Sequence, residues 1–341
     1  MIVDRCPSKL KPDFTTYSPA ALRKVFEGKR VSHILPFESP EKSQAVNEAF
    51  MENRKRLSIS GVQKKISLRL EKNKLRLTGQ GEPGQYILKP IPDDLKRTDQ
   101  VPANEHLTMQ LAEQVFSIQT AGNGMIFFAG DEPAYITRRF DYKEDGTKRL
   151  MEDFCTLAGK TKDTAGEDFK YEASCEDLFI LLKQYVGPYL VEAQKLFRII
   201  LFNYVFSNGD AHLKNFSLLE TNGGDFALSP AYDLICTRIH VDDPDIAFKD
   251  GLFAGDFDTE SHNANGYYAY DDFYQLGLRA GLPEAIVKRE IELFQNKAET
   301  VESFIDRCFL DDDIKAAYRE MFHDKLKRLA YSFEQREKVK Q

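Results

Sequence analysis

Ser207-Asn208-Gly209-Asp210-Ala211-His212-Leu213-Lys214-Asn215-Phe216 is the stretch on which the reading of this chain turns. It is a polar loop that leaves the most apolar segment of the sequence, Leu190 to Phe206. There, Leu196, Phe197, Ile199, Ile200, Leu201, Phe202, Val205 and Phe206 leave almost no polar face, the pattern of a central buried helix. A polar loop held by such a helix is a rigid place to mount reactive groups. Asp210 and Asn215 are five residues apart, and Asp233, in Pro230-Ala231-Tyr232-Asp233, follows eighteen residues after Asn215.

Phosphoryl transfer asks for such a set. One carboxylate accepts the proton of the attacking hydroxyl, while a second carboxylate and an amide oxygen hold Mg²⁺ against the phosphates. Asp-x-x-x-x-Asn followed by a further Asp is the order found in protein kinases. Alone, the segment reads more simply as a polar turn capping a helix. Other pieces stand in the same order. Lys89 ends the short apolar strand Tyr86-Ile87-Leu88-Lys89, where a nucleotide-binding lysine would sit. Glu105 lies sixteen residues later at the start of a helix, where its ion-pair partner would be. Thr137-Arg138-Arg139-Phe140-Asp141 falls where a hinge would offer backbone groups to adenine. Each piece has an ordinary alternative: a solvated strand end, a glutamate favoured by the helix dipole, a plain strand terminus. Their joint order points to a kinase-like fold. A Gly-x-Gly-x-x-Gly loop is missing. In its place stands Ser58-Ile59-Ser60-Gly61-Val62-Gln63-Lys64-Lys65, which by composition is a polar loop leading into a strand and could wrap phosphate with backbone N–H groups and charge.

The periodicity predicts an α+β, bilobal chain with a β-rich N-terminal lobe and an all-helical C-terminal lobe. Residues 1–57 read as a weakly ordered lead-in, 58–140 as the nucleotide-binding lobe and 141–341 as the catalytic and substrate-binding lobe. The lead-in holds a helix opened by Ser18-Pro19 and stopped by Gly28, and a second candidate helix over 41–56. Ile66, Leu68 and Leu70 alternate as a half-buried strand, and Leu75 and Leu77 form the returning arm of a hairpin. Asn104 to Phe116 is predicted helical with one apolar face. Met125 to Ala129 and Ala134 to Thr137 are predicted strands. After Asp141 come helices over 174–186 and 190–206, short strands at 217–219 and 226–228, and helices over 271–280, 283–294 and 312–334.

Composition removes several classes. No apolar run approaches the ~18 residues of a membrane span, and Met1 to Leu10, with Asp4, Arg5 and Lys9, does not read as a signal peptide. The five cysteines are odd in number, widely spaced and without a Cys-x-x-Cys pair, which argues against a disulfide framework or a cysteine zinc site and for a reducing cytoplasm. A net charge of -7 gives the chain as a whole no attraction for nucleic acid. His212 has no second histidine at ligand spacing and is read as a brace for the loop. Tyr267-Tyr268-Ala269-Tyr270 is read as core or groove rather than as a base-stacking platform.

Taken together, the serine loop, Tyr-Ile-Leu-Lys-Pro, Asn104-Glu105-His106, Arg139-Phe140-Asp141, Glu152-Asp153-Phe154-Cys155, Asn208 to Ser217 and Leu228 to Asp233 resemble the HipA family of bacterial serine/threonine kinase toxins. The motifs run from about Ser58 to Ile235. The short N-terminal region and the Ser-Ile-Ser loop look most like the compact HipT toxins of three-gene HipBST systems. The resemblance implies ATP and Mg²⁺ as cofactors. Ser60, Gly61, Val62, Gln63, Lys64 and Lys65 would cover the ATP phosphates, which Lys89 would contact, and Arg138, Arg139 and Phe140 would form the hinge. Arg138 stands where the longer relatives often carry an acid, so backbone contacts to adenine are expected there rather than a side-chain one. Asp210 would be the catalytic base. His212, Lys214, Asn215, Tyr232 and Asp233 would line the nucleotide, with Asn215 and Asp233 as Mg²⁺ ligands. Ser58 and Ser60 match the autophosphorylated serines. Implied partners are a small helix-turn-helix antitoxin, a separate protein supplying the missing N-terminal subdomain, DNA only through the antitoxin, and a protein substrate such as an aminoacyl-tRNA synthetase.

Two other readings stay open on the residues. Asn-Gly-Asp-Ala-His-Leu-Lys-Asn is close to the His-Gly-Asp-x-His-x-x-Asn pattern of aminoglycoside and choline kinases, which would make the chain a small-molecule phosphotransferase. A non-catalytic repressor subunit is the third.

Overall fold

The computed structural model describes residues 1–40, 42, 65–93, 95–143 and 145–334. The predicted helix over 41–56 and the loop from Ser58 to Lys64 lie outside the described residues, apart from Lys42. In chain order the elements are α1 (Pro19–Phe26), β1 (Ile66–Glu71), β2 (Lys74–Leu77), β3 (Tyr86–Pro90), α2 (Val101–Gln114), β4 (Asn123–Phe127), β5 (Pro133–Arg138) and β6 (Met151–Asp153). Then follow α3 (Phe154–Leu157), α4 (Lys162–Ala165), α5 (Cys175–Tyr185), α6 (Tyr189–Val205), β7 (Ser217–Glu220) and β8 (Phe226–Leu228). The chain continues with α7 (Glu260–Asn265), α8 (Tyr270–Arg279), α9 (Glu284–Gln295), α10 (Ala298–Asp306) and α11 (Asp312–Leu329).

Strands β1 to β5 form an antiparallel sheet in the order β2-β1-β3-β5-β4. The β1–β2 hairpin closes through Lys72 and Asn73, both at positive φ (45° and 67°), the backbone a two-residue turn requires to match strand twist. In the register of β3 with β5, Lys89 faces Tyr135 and Tyr86 faces Arg138. One face of the sheet packs Ile66, Leu68, Leu88, Ile126 and Ile136 against Ala21, Val25 and Phe26 of α1. Ser18 caps α1 by accepting from the Ala21 N–H, and the helix ends where Glu27 and Gly28 take positive φ.

Residues 1–40 are not a loose lead-in. Val3, Cys6, Leu10, Tyr17 and Leu35 are buried. The Met125 N–H donates to Pro7 O, the Phe127 N–H to His33 O and the Leu35 N–H to Phe127 O. These segments cover the open edge of β4, which would otherwise present unpaired backbone groups. Outside α1 their apolar residues are too widely spaced to register as a helix or strand period, which hides this role in the sequence.

Helix α2 corrects a second expectation. It has no single apolar face, since every residue from Val101 to Ala112 is buried. The sheet lies on one side, through Met125, Phe127 and Tyr135, and the helical lobe on the other. Three of its polar side chains find partners inside the protein, Asn104 on Cys236 O, His106 through Nε2 on Ser8 O and Gln110 on Asn123 Oδ1, while His106 Nδ1 is left without one.

The C-terminal lobe is built on α6, whose Leu196, Phe197, Leu201, Phe202 and Val205 are buried. Phe206 stacks on Phe322 of α11 and meets Phe116 edge-on. The lobe is not all-helical. Strands β6, β7 and β8 form a small antiparallel sheet in that order. It seats on α6 where the buried Glu192 carboxylate accepts from the Leu228 N–H at 3.0 Å. The two strand pieces expected at 217–219 and 226–228 are β7 and β8. Strand β6, only three residues long, carried no periodic signal. Helix α10 was not foreseen, and α11 stops at Leu329, short of the expected Glu334. No helix among the described residues is long and apolar enough to cross a membrane. All five cysteines are free and buried.

Candidate active site

The loop after α6 is held by short-range chemistry. Ser207 turns the chain at φ 51°. Asn208 then bonds back to Asn203 twice, N–H to O at 2.8 Å and Nδ2 to Oδ1 at 2.9 Å. The Gly209 N–H donates to Thr237 Oγ1 at 2.9 Å. A Cβ at Gly209 would lie 2.4 Å from both Asp243 Cβ and Pro244 O, so only glycine lets the 243–244 backbone approach. Asp210 projects from this turn with its side chain 50% exposed. The Tyr171 hydroxyl donates to its Oδ1. Burial pushes the Asp210 carboxyl above its ordinary range, and the Tyr171 phenol and Lys170 ammonium pull it back. His212 is buried and packs edge-on against the Tyr171 ring. Burial, reinforced by Lys170, pushes its imidazole down to about 3, so it is neutral at pH 7.

Asn215 closes the turn of residues 213–215 by accepting from the His212 N–H at 3.1 Å. The chain then enters β7, returns by β8 and places Tyr232 and Asp233 beside the loop. The Tyr232 hydroxyl sits between Ser217 Oγ at 2.6 Å and Lys214 O at 2.8 Å. Asp233 is held at φ 55°, a backbone that costs a non-glycine residue about 1–3 kcal/mol and is concentrated at functional sites.

Asp233 faces the N-terminal lobe. Its Oδ1 lies 2.5 Å from Lys89 Nζ and its Oδ2 3.5 Å from Lys65 Nζ. Lys89 also reaches Glu105 Oε1 at 2.6 Å. Burial alone would drive the Lys89 ammonium toward neutrality; Asp233 and Glu105 outweigh it and hold the lysine charged. Burial likewise penalises the Asp233 carboxylate, but Lys65 and Lys89 overturn that penalty and hold it well below the usual carboxylate range. Glu105 is pushed up to about 7 by burial, against the pull of Lys89.

These groups open on one cavity of about 400 Å³ between the lobes. Lys65, Lys89, Asp210, His212, Lys214, Asn215, Tyr232 and Asp233 all line it, as does Glu105. Arg138, Arg139 and Phe140 do not. The Arg138 N–H donates to Gly122 O at 2.7 Å and the Arg139 N–H to Gln85 O at 2.9 Å, so these two donors are already used within the fold. Their side chains pair with Glu27 and Asp141, and Phe140 packs near the Tyr232 ring. Ser58, Ser60, Gly61, Val62, Gln63 and Lys64 lie outside the described residues. Tyr171, Thr237, His240 and Asp243 also line the cavity. None of these stands in a motif, and Tyr171, thirty-nine residues before Asp210, has no local signal that could have found it.

The donor chemistry at Asn215 and Asp233 fits Mg²⁺. A carboxylate and an amide oxygen are hard ligands, and this ion takes few protein groups beside phosphates and water. Among the described residues, no three His, Cys, Asp or Glu side chains gather as a cage for another metal. Lys89 and Lys65 both lie on the Asp233 carboxylate, one on each oxygen.

The model of the HipA-like C-terminal domain matches residues 57–302. A putative kinase of Haemophilus influenzae is 26% identical over 330 residues, covering 89% of this chain and 90% of that relative. The serine/threonine-protein kinase toxin HipA of Shewanella oneidensis is 25% identical over 232 residues, covering 62% of this chain. The match spans 52% of that toxin, about half its length. The solved structure of the Shewanella oneidensis MR-1 toxin–antitoxin complex of HipA, HipB and operator DNA superposes with a TM-score of 0.61 at 23% identity. It covers 80% of this chain and 65% of that one. The bilobal architecture is thus the HipA kinase-like fold, and with the domain match running through the lysine, the loop and Asp233, the chain belongs to the HipA-like C-terminal domain family.

Proposed function

We propose that this chain is an ATP-dependent serine/threonine protein kinase, and that it acts as the toxin of a toxin–antitoxin module. The observation that carries the reading is the meeting of Lys89, Glu105 and Asp233 across the lobes, in the cavity that also holds Asp210. Lys89 is kept charged and aimed at the space where phosphates would lie. Asp210 is half-exposed on the cavity, with the Tyr171 hydroxyl and the Lys170 ammonium favouring its carboxylate form, so it is placed to accept the proton of a serine or threonine hydroxyl as that oxygen attacks the γ-phosphorus. Asn215 and Asp233 would hold Mg²⁺, which when bound neutralises charge on the phosphates. Lys214 and Tyr232 tie the two ligand-bearing segments together. With two of the hinge donors used internally, Arg138 to Phe140 would shape the adenine end rather than donate to it through residues 138 and 139.

Lys65 supports a role for the preceding serine loop. Its ammonium sits on Asp233, so the end of that loop reaches the phosphate site. Ser60 is five residues away, and five extended residues span at most ~17 Å. Autophosphorylation on Ser58 or Ser60 rests on the motif resemblance, with the nearness of the loop's end to the site as its support. The HipA–HipB–operator DNA complex of the Shewanella neighbour supports an antitoxin as partner; its small size and a DNA contact made only through it rest on motif resemblance. The compact HipT-like subtype, a separate subdomain-like protein and an aminoacyl-tRNA synthetase as substrate rest on motif resemblance.

Intact mass spectrometry of the purified full chain with Mg-ATP tests this reading. A gain of phosphate in the native protein, absent in Asp210→Asn, is the expected result. Transfer to an aminoglycoside or choline in place of protein would move the chain to the small-molecule class.

A further inference from the structure

Asp210 has two carboxylate oxygens in unlike surroundings. Oδ1 accepts from the Tyr171 hydroxyl and has the neutral His212 Nε2 4.0 Å away. Oδ2 has no protein hydrogen bond among the described residues, and the side chain borders the cavity. Tyr171 belongs to a strap bolted to the loop it serves. The Leu213 N–H donates to Lys170 O at 3.0 Å, and the Lys249 N–H to Tyr171 O at 3.0 Å. The Tyr171 N–H donates to Asp168 O at 2.8 Å. Its ring stands edge-on to His212, with centroids 5.3 Å apart, and carries the Lys170 ammonium 4.8 Å from its centre. Backbone bonds and ring packing thus fix the strap, while the hydroxyl is directed to Asp210.

Resting on the kinase reading above, we propose that Tyr171 is the positioning residue of the proton acceptor: its phenol holds Oδ1 of Asp210 and leaves Oδ2 to the acceptor hydroxyl. A carboxylate free to rotate would spend part of its time with neither oxygen in line, and proton acceptance needs heavy-atom contact near 3 Å. The phenol is well suited, because burial and the Asp210 hydrogen bond hold it protonated far above neutrality, so it remains a donor. The charged and titratable groups facing Asp210 are Tyr171 and Lys170 from the strap, His212 from its own loop, Asp233 from the segment after β8, and Asp243 beside Gly209. Of these, Tyr171 and Lys170 favour the carboxylate, while Asp233 opposes it.

Tyr171→Phe keeps the ring, the strap and the His212 contact and removes only the donor. In the full chain we expect kcat for phosphoryl transfer to fall about tenfold or more, with nucleotide affinity by calorimetry and KM for ATP unchanged. The acidic limb of the rate profile should move to higher pH. Carbon-13 titration of the Asp210 carboxyl, assigned with Asp210→Asn, reads the same contact without catalysis. It should titrate higher in Tyr171→Phe and lower when 3-fluorotyrosine, a stronger donor, replaces Tyr171. A role in folding alone would not move the carboxyl in opposite directions. Native kcat with an unshifted carboxyl in Tyr171→Phe overturns the proposal, as does a loss confined to ATP affinity. A native chain that phosphorylates nothing sinks the kinase reading instead, and the carboxyl titration still decides whether Tyr171 governs Asp210.

Discussion

Lys89 and Glu105 meet at 2.6 Å across the joint between β3 and α2, with side chains only 3% and 2% exposed. A pair so deeply buried is worth little as a pair and a great deal once broken, because the survivor is left as an uncompensated charge. Lys89→Met leaves Glu105 without its partner and Asp233 with Lys65 alone. We expect a loss of about 3–5 kcal/mol in urea unfolding together with loss of ATP binding. Adding Glu105→Gln should restore part of the stability and none of the binding. A double variant as unstable as the sum of the single ones would show that the two residues are not coupled.

Asp210→Asn tests the proton acceptor. The amide keeps an oxygen for the Tyr171 hydroxyl, so the loop should stay in place. Nucleotide affinity should remain near native, while phosphate incorporation by intact mass falls below detection. Incorporation at the native rate would remove Asp210 from that role.

Asp233→Asn tests the metal. Asn tolerates the left-handed backbone at φ 55°. Calorimetric affinity for ATP in the native chain should drop when Mg²⁺ is chelated, and in the variant it should be indifferent to the chelator. A native chain that binds ATP equally with and without Mg²⁺ would count against Asn215 and Asp233 as ligands.

Gly209→Ala probes the packing under the loop. Its Cβ would strike Asp243 Cβ and Pro244 O, neither of which is the end of a flexible side chain. The expected cost is about 1–3 kcal/mol by overpacking, with activity reduced through displacement of Asp210. Native stability and activity would mean that the 243–244 segment gives way freely.

His106 makes stability depend on pH. Its Nε2 bonds Ser8 O at 2.8 Å, and its buried Nδ1 has no partner. Burial lowers the imidazole from 6.5 to about 4. The unfolded chain therefore binds a proton that the folded chain refuses between these values. Stability contributed by neutral His106 is present above 6.5 and declines as pH falls toward about 4, by up to about 1.4 kcal/mol per pH unit. His106→Gln should flatten that part of the chemical-denaturation profile, and an unchanged slope would assign the pH dependence elsewhere.

Much of this protein was legible in the order of its residues. Ser18-Pro19, the alternation at Ile66 to Leu70 and the apolar run into Phe206 are patterns whose partners lie within a few residues, and α1, β1 and α6 formed where those patterns said. Asp210, Asn215 and Asp233 could be singled out as candidates because phosphoryl transfer constrains such a spacing along one loop and the strand pair after it, and the three line one cavity. Packing at long range decided the rest. Lys89 and Lys65 reach Asp233 across 144 and 168 residues. Residues 1–40 became the edge of a sheet, and α2 lost its polar face to a second lobe. Tyr171 came to Asp210 through a strap held by backbone bonds, which any side chains could make. Local order is written in propensity and period. Which buried charge meets which, and which hydroxyl reaches the carboxylate, is settled only when two lobes close on each other and every polar group left without water must find a partner.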